Sequence, residues 1–219
     1  MFTTIGVGIA TIFKSTPGAG GGAFEYTAID NSFSMEFNGT DARYIVNSTS
    51  DLELTGTDFS ISLWIRSDTT TAIILDKYGP TANGWGLYLQ SGTLKFITYP
   101  SPGAWTSMTT LSTNVWTHIV IVASNTGQTL KCYKDGVEVY NATYAMTVGS
   151  NNTDLYIGGE SGLGFDFDGH LDELAVFRNA LSEETIQAIY DATANNPGKV
   201  ADLSETPEGV PTAWYRMGD

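Results

Sequence analysis

Hydrophobic and polar residues alternate along most of this chain with the period of two that a half-buried β-strand imposes on its side chains. Phe33, Met35 and Phe37 fall on one side and Ser34 and Glu36 on the other, before Asn38-Gly39 turns the chain. Phe59, Ile61, Leu63 and Ile65 alternate with Ser60, Ser62, Trp64 and Arg66, which predicts a strand with one core face and one mixed face. Tyr44-Ile45-Val46, Ala72-Ile73-Ile74-Leu75 and Leu155-Tyr156-Ile157 read as further strands. Residues 115–122 are apolar on both faces and predict a central strand. Ser91-Gly92 separates the runs 86–90 and 93–97, and Asp135-Gly136 separates 130–134 from 137–140, so two hairpins are predicted.

The stretch 165–186 organises the chain. It passes from Asp168-Gly169 into a strand over 171–177, in which Leu171, Glu173, Ala175 and Phe177 would share one face and Asp172, Leu174 and Val176 the other. Asn179-Ala180-Leu181 then leads to Ser182, a helix cap followed by Glu183 and Glu184 at the positive helix end. Ile186, Ile189 and Tyr190 form an apolar stripe, and Asn195-Asn196-Pro197-Gly198 stops the helix, which is expected to seal one end of the domain. Ala213 to Met217 reads as a last short strand. About ten short strands and one helix predict an all-β fold, a two-sheet antiparallel sandwich or jelly roll.

Composition narrows the function. With 10 Lys+Arg against 24 Asp+Glu, a net charge of −14 and no basic cluster, the chain lacks the cations that binding to nucleic acid through phosphates requires. Cys132 is the one cysteine, so no disulfide can form within the chain and the thiol reads as buried in a strand. Residues 1–13 are apolar but too short to span a bilayer and have no basic residues ahead of them, so neither membrane insertion nor a Sec signal peptide is expected. Residues 14–23 are a Gly-rich linker. The division is an arm and linker over 1–23, the jelly roll over 24–194, and a tail over 195–219. The arm either docks on an exposed edge or neighbouring subunit, or forms a first strand on its own domain.

An ordered series of segments carries a resemblance: 34–39, Phe59 to Ile65, 86–89, Trp116-Thr117-His118-Ile119-Val120, Tyr133-Lys134-Asp135-Gly136, Phe167 to Glu173 and Asn179 to Ser182. Over about residues 30–192 the chain resembles the laminin-G-like, concanavalin A-type jelly roll. The resemblance implies a two-sheet antiparallel sandwich, often calcium-bearing, used for glycan or protein binding and also found in virion proteins. It places a structural Ca2+ between Asp172 and the turn holding Asn38 and Asp41, although Ala42 stands where the family often has a second acid and Arg43 adds a competing charge. The segment 211–219 resembles the strand that usually opens such a domain. It stands at the wrong end, so it fills the first-strand place from behind, begins a second copy, or pairs with a neighbour.

Candidate chemistry is sparse. Glycosidases of this fold carry two carboxylates about 5–9.5 Å apart, usually on one strand, and no such pair follows Asp172 or Glu173, so a non-enzymatic protein is expected. His118 reads as a core histidine, and His170 as an exposed one at a turn. Gly158-Gly159 and Gly162-Leu163-Gly164 do not lead into a helix, which disfavours a phosphate loop. For sugar binding, Tyr78, Asn83, Trp85, Tyr99 and Trp105 occupy neighbouring loops and could present aromatic faces and an amide. The leading expectation is a virion structural protein, a capsid decoration or fibre component on the particle exterior. It would form homo-oligomers, engage other virion proteins through its arm and tail, and display a jelly roll to a host surface glycan. The alternatives are an extracellular carbohydrate-binding module of a secreted or surface bacterial protein, and a glucanase of related fold.

Overall fold

In the computed structural model, which describes residues 24–79, 83–101, 105–143, 147–160 and 164–217, the alternating pattern becomes two antiparallel sheets that bury their facing sides against each other. The arm predicted over 1–23 and the residues Gly162 and Leu163 lie outside the described residues. In chain order the strands are β1 (Ala28–Asp30), β2 (Met35–Asn38), β3 (Tyr44–Val46), β4 (Phe59–Ser67), β5 (Ala72–Gly79), β6 (Asn83–Gln90), β7 (Thr93–Ser101) and β8 (Thr106–Thr110). They continue with β9 (Thr117–Ser124), β10 (Thr129–Lys134), β11 (Val137–Thr143), β12 (Thr147–Val148), β13 (Leu155–Ile157) and β14 (Asp168–Phe177). Helix α1 (Glu183–Ala194) follows, then β15 (Lys199–Ala201) and β16 (Ala213–Tyr215). The front sheet has the order β11-β10-β9-β4-β14, with β2 and β16 both paired to β14. The back sheet has the order β12-β7-β6-β5-β13-β3, with β8 beside β7. The fold is the expected all-β jelly-roll sandwich.

The core is the sum of the inward-facing alternate residues. Phe59, Ile61, Leu63 and Ile65 of β4 and Ile119, Ile121 and Ala123 of β9 meet Leu75, Trp85, Leu87, Leu89, Leu94 and Phe96 of the back sheet. Cys132 lies in the same core, and burial pushes its thiol up to about 12. Both predicted hairpins form. Ser91 and Gly92 have φ of 50° and 77°, and Asp135 and Gly136 have 51° and 79°, so each central pair takes the left-handed conformations that a tight two-residue turn demands.

Helix α1 is capped as expected, with Ser182 Oγ accepting from the Thr185 N–H at 3.2 Å. Its place differs from the expected one. Ile186 and Ile189 pack on Val120, Val122, Ala175 and Phe177, the outward residues of β9 and β14, so the helix covers the outer face of the front sheet rather than an end of the sandwich. The β1–β15 ribbon and Leu203 extend this layer.

The strand over 171–177 departs from simple alternation. Its pairing with β4 shifts register between Asp172 and Ala175, and Glu173 adopts φ of 49°. This bulge changes the phase, so Leu171, Leu174 and Val176 all reach the inner core while Ala175 and Phe177 face the helix. Strand β16 pairs with β14 through Leu174↔Tyr215, Ala175↔Trp214 and Val176↔Ala213. The segment thus fills the first-strand place from within its own chain. Through β16 the tail joins the front sheet, at the end of its strand order.

At the bulge the buried Glu173 carboxylate accepts from Trp214 Nε1 at 2.6 Å and from Arg216 Nε at 3.2 Å. Burial pushes this carboxyl up to about 7, against the downward pull of those two partners. Arg216→Ala is expected to destabilise the fold by about 2 kcal/mol, the worth of a hydrogen bond to a charged group, and more above pH 7, where the carboxylate must be buried ionised. Urea denaturation at two pH values checks this, and Glu173→Gln in the Arg216→Ala background should recover part of the loss.

Candidate functional site

On the back sheet the same alternation that sends Trp85, Leu87 and Leu89 of β6 into the core sends Gly84, Gly86 and Tyr88 outward. The Tyr88 ring lies flat across Gly86, where a β-carbon would stand only 2.9 Å from Cζ and 2.8 Å from Oη. Only glycine leaves that room. Asp76 is paired with Gly86 across the β5–β6 ladder, so the Tyr88 hydroxyl lands on it and donates to Oδ2 at 2.8 Å. The other oxygen, Oδ1, accepts from the Tyr78 N–H at 2.8 Å.

Asp76 is only 3% exposed. Burial pushes its carboxyl up to about 6, and the nearby Glu160 charge adds to that, while the Tyr88 and Tyr78 hydrogen bonds pull it down. Burial and Asp76 itself hold the Tyr88 hydroxyl far above its usual value, so it remains a donor. Next along β5, Lys77 points inward, its Nζ 2.7 Å from Glu53 and bonded to Asn151 Oδ1 and the Thr153 carbonyl. These bonds hold the segment leading to β13, and with it Thr153 and Tyr156, beside Asp76.

The result is a concavity of about 660 Å³ on the outer face of the back sheet. Its wall is aromatic: Tyr78, Tyr88, Trp105, Tyr156 and Phe165. The indole of Trp105, 44% exposed, packs on Tyr88 with ring centroids 4.5 Å apart and planes tilted by 35°. Asp76, Glu160, Gln90, Thr71 and Thr153 place oxygens and an amide among these rings. A ligand with apolar C–H faces and several hydroxyls matches that mixture, and the two carboxylates disfavour an anion.

The structure brings together part of the sequence-predicted set. Tyr78 and Trp105 line the concavity. Tyr99 packs its ring on Tyr78 at 4.7 Å, just outside the lining. Asn83, at the start of β6, uses its carbonyl to accept from Asn151 Nδ2 at 2.7 Å and does not line the cavity. Trp85 is a correction: it is 1% exposed in the core, with Nε1 toward the Leu52 carbonyl, because it shares a strand face with Leu87 and Leu89. Asp76, Tyr88, Tyr156, Glu160 and Phe165 were missed. The lone acid ending the apolar run 72–75, and a tyrosine in phase with two glycines, were the legible signals.

The expected calcium ligands do not fit one cation. Asn38 Oδ1 already accepts from the Thr40, Asp41 and Ala42 N–H groups, and its amide donates to Asp41 at 2.9 Å. Asp172 is four residues along β14 from Asp168, the partner of Asn38, which is roughly 13 Å at strand spacing. Its oxygens accept from Asn31 and from the Glu173 N–H. Among the described residues no group of three or more His, Cys, Asp or Glu is arranged to hold a metal. Arg43 pairs with Asp166 rather than Asp41. His118 is a core residue, its Nε2 3.0 Å from Ser62 Oγ, and burial pushes its imidazole down to about 3. His170, expected to be exposed, is half-buried with Nδ1 3.2 Å from Ser34 Oγ.

A family model described as the concanavalin A-like lectin/glucanases superfamily matches residues 38–187. The chain belongs to this family. A search of curated protein sequences finds no match. Among solved structures the chain is similar to the binding domain of Paraclostridial Mosquitocidal Protein 1, at 19% identity and a TM-score of 0.63, covering 78% of this chain and 46% of that one. It is also similar to a "putative carbohydrate binding protein" from Bacteroides ovatus, at 16% identity and a TM-score of 0.65, covering 90% of this chain and 53% of that one. A heptameric SAP-like pentraxin from Limulus polyphemus is 16% identical with a TM-score of 0.55, covering 84% of this chain and 91% of that one. The chain spans about half the length of the first two. At these identities the likeness is one of fold.

Two outcomes check this geometry. Because the folded state holds the Asp76 proton more tightly than the unfolded chain, the group's contribution is complete below about pH 4 and is lost as pH rises through about 6. Asp76→Asn is therefore expected to gain in melting temperature relative to the unaltered chain across that window, and parallel pH profiles would refute it. For the metal, adding calcium or EDTA is expected to leave the melting temperature unchanged; a rise with calcium would show a site assembled by other ligands.

Proposed function

We propose that this domain is a non-enzymatic carbohydrate-binding module whose ligand seats in the back-sheet concavity, sugar rings stacking on Trp105 and Tyr156 and hydroxyls bonding to Asp76 and Glu160. One observation carries the reading: an aromatic-walled cavity of about 660 Å³ built around a buried, hydrogen-bonded carboxylate, on the sheet face that the helix layer does not cover. Membership in a lectin and glucanase superfamily supports it, as does the similarity of fold to toxin binding domains. A second reading, in which the module decorates a virion and presents this site to a host surface, is favoured by the apolar, glycine-tethered segment 1–23. The homo-oligomer and the outward placement belong to that reading. In that reading the arm and the tail engage other virion proteins.

A glycan array followed by calorimetry on the best binder tests the first reading. Trp105→Ala is expected to weaken binding by about tenfold or more, the scale of a lost stacking contact, with little change in melting temperature. Absence of any glycan binding, or binding indifferent to Trp105, would refute it. For the second reading, deleting residues 1–23 should abolish incorporation into particles while leaving glycan binding intact.

A further inference from the structure

The back-sheet concavity carries two carboxylates, Asp76 from β5 and Glu160 from the segment after β13. Register brings them together. Tyr156 pairs with Asp76 and Ile157 with Leu75, and Glu160 follows three residues after Ile157. The Gly158 N–H donates to the Ile74 carbonyl at 2.9 Å and the Ile73 N–H to the Phe165 carbonyl at 2.8 Å, so the loop bearing Glu160 is fastened to β5 at Gly158 and at Phe165. The Glu160 charge stands close enough to Asp76 to add to the upward push on its carboxyl.

Among the described residues no cation balances this charge. No Lys or Arg lines the cavity. Two in adjoining positions are committed elsewhere: Lys77, next to Asp76 on β5, turns inward to Glu53, and Lys95, across the ladder from Tyr88, gives its ammonium to Gln90 Oε1. Glu160 itself is half-buried and has no hydrogen bond or ion pair among the described residues. Two like charges facing one cavity repel, and walls of Tyr78, Tyr88, Trp105, Tyr156 and Phe165 reduce the water that would screen them. The same walls attract a cation, because the π faces of aromatic rings carry negative charge.

We propose that the concavity selects ligands bearing a primary ammonium group. Its N–H groups donate to Glu160, and the C–H groups beside the nitrogen pack on the aromatic wall. Asp76, 3% exposed and with both oxygens already accepting from Tyr78 and Tyr88, contributes its charge. The proposal rests on the seat described under the carbohydrate reading, but not on a neutral sugar occupying it. At about 660 Å³ the cavity admits a pyranose ring, so an amino sugar is one carrier of the ammonium and a free alkylammonium another.

Calorimetry of the full chain at neutral pH tests it, comparing butylammonium with butanol, its uncharged counterpart, and glucosamine with glucose and N-acetylglucosamine. Butylammonium is expected to bind at least about tenfold more tightly than butanol, the scale of a cation held by a carboxylate and an aromatic wall. Glu160→Gln should lower the butylammonium affinity by about tenfold and close that gap. An unchanged melting temperature of Glu160→Gln, whose carboxylate holds no partner to lose, separates loss of the site from loss of the fold. A glucosamine preference of the same size over both neutral sugars marks an amino sugar as the carrier; a preference seen with butylammonium alone marks an alkylammonium. If each cation binds no more tightly than its neutral counterpart, or if Glu160→Gln binds butylammonium as before, the proposal is overturned, while glycan binding that depends on Trp105 would leave the carbohydrate reading standing. If butylammonium is preferred and the glycan array is empty, the ammonium selection stands and the carbohydrate reading falls.

Discussion

The bulge at Asp172 and Glu173 is the constraint on which the front sheet depends. An unbroken ten-residue strand would present one continuous edge; the bulge divides β14 so that β2 pairs with its first half and β16 with its second. It also buries two adjacent carboxylates, and each is tied to a distant segment. Glu173 is held by Trp214 and Arg216 of the tail, and Asp172 by Asn31 of the β1–β2 turn. Chain ends far apart in sequence therefore close on one point. A buried carboxylate without such partners would destabilise the fold severely, so the tail is required by the bulge as much as supported by it.

That closure gives the two sheets different faces. The helix, the β1–β15 ribbon and the segment at Leu203 shield the outer side of the front sheet. The outer side of the back sheet instead carries Ile73, Tyr88, Ile97 and Tyr99, a small apolar cluster of its own. Around it Asp76, Tyr78, Tyr88 and Tyr156 stand on strands, while Trp105, Glu160 and Phe165 come from the connections beside them.

The proposed sugar-binding role rests on this asymmetry. Stacking supplies most of the affinity for a neutral sugar in water, and a few fixed hydrogen bonds choose among sugars. In the back-sheet site Asp76 is locked by Tyr88 and Tyr78, so it offers its remaining lone pairs in one orientation.

The fold class, the β4 core face, both tight hairpins and the Ser182 cap were legible in the sequence, because each rests on local periodicity or on one or two residues whose backbone preference decides the outcome. That Tyr78 and Trp105 share one concavity follows from their places as aromatics near strand ends. Trp85 was misplaced although its phase with Leu87 and Leu89 marks it as core. The Asp76–Tyr88 pair, the phase change at Glu173, the helix lying on a sheet face and the return of β16 to β14 were decided only by tertiary structure. Each joins residues through cross-strand register or long-range closure, and a period of two along one strand carries no information about which strand lies beside it.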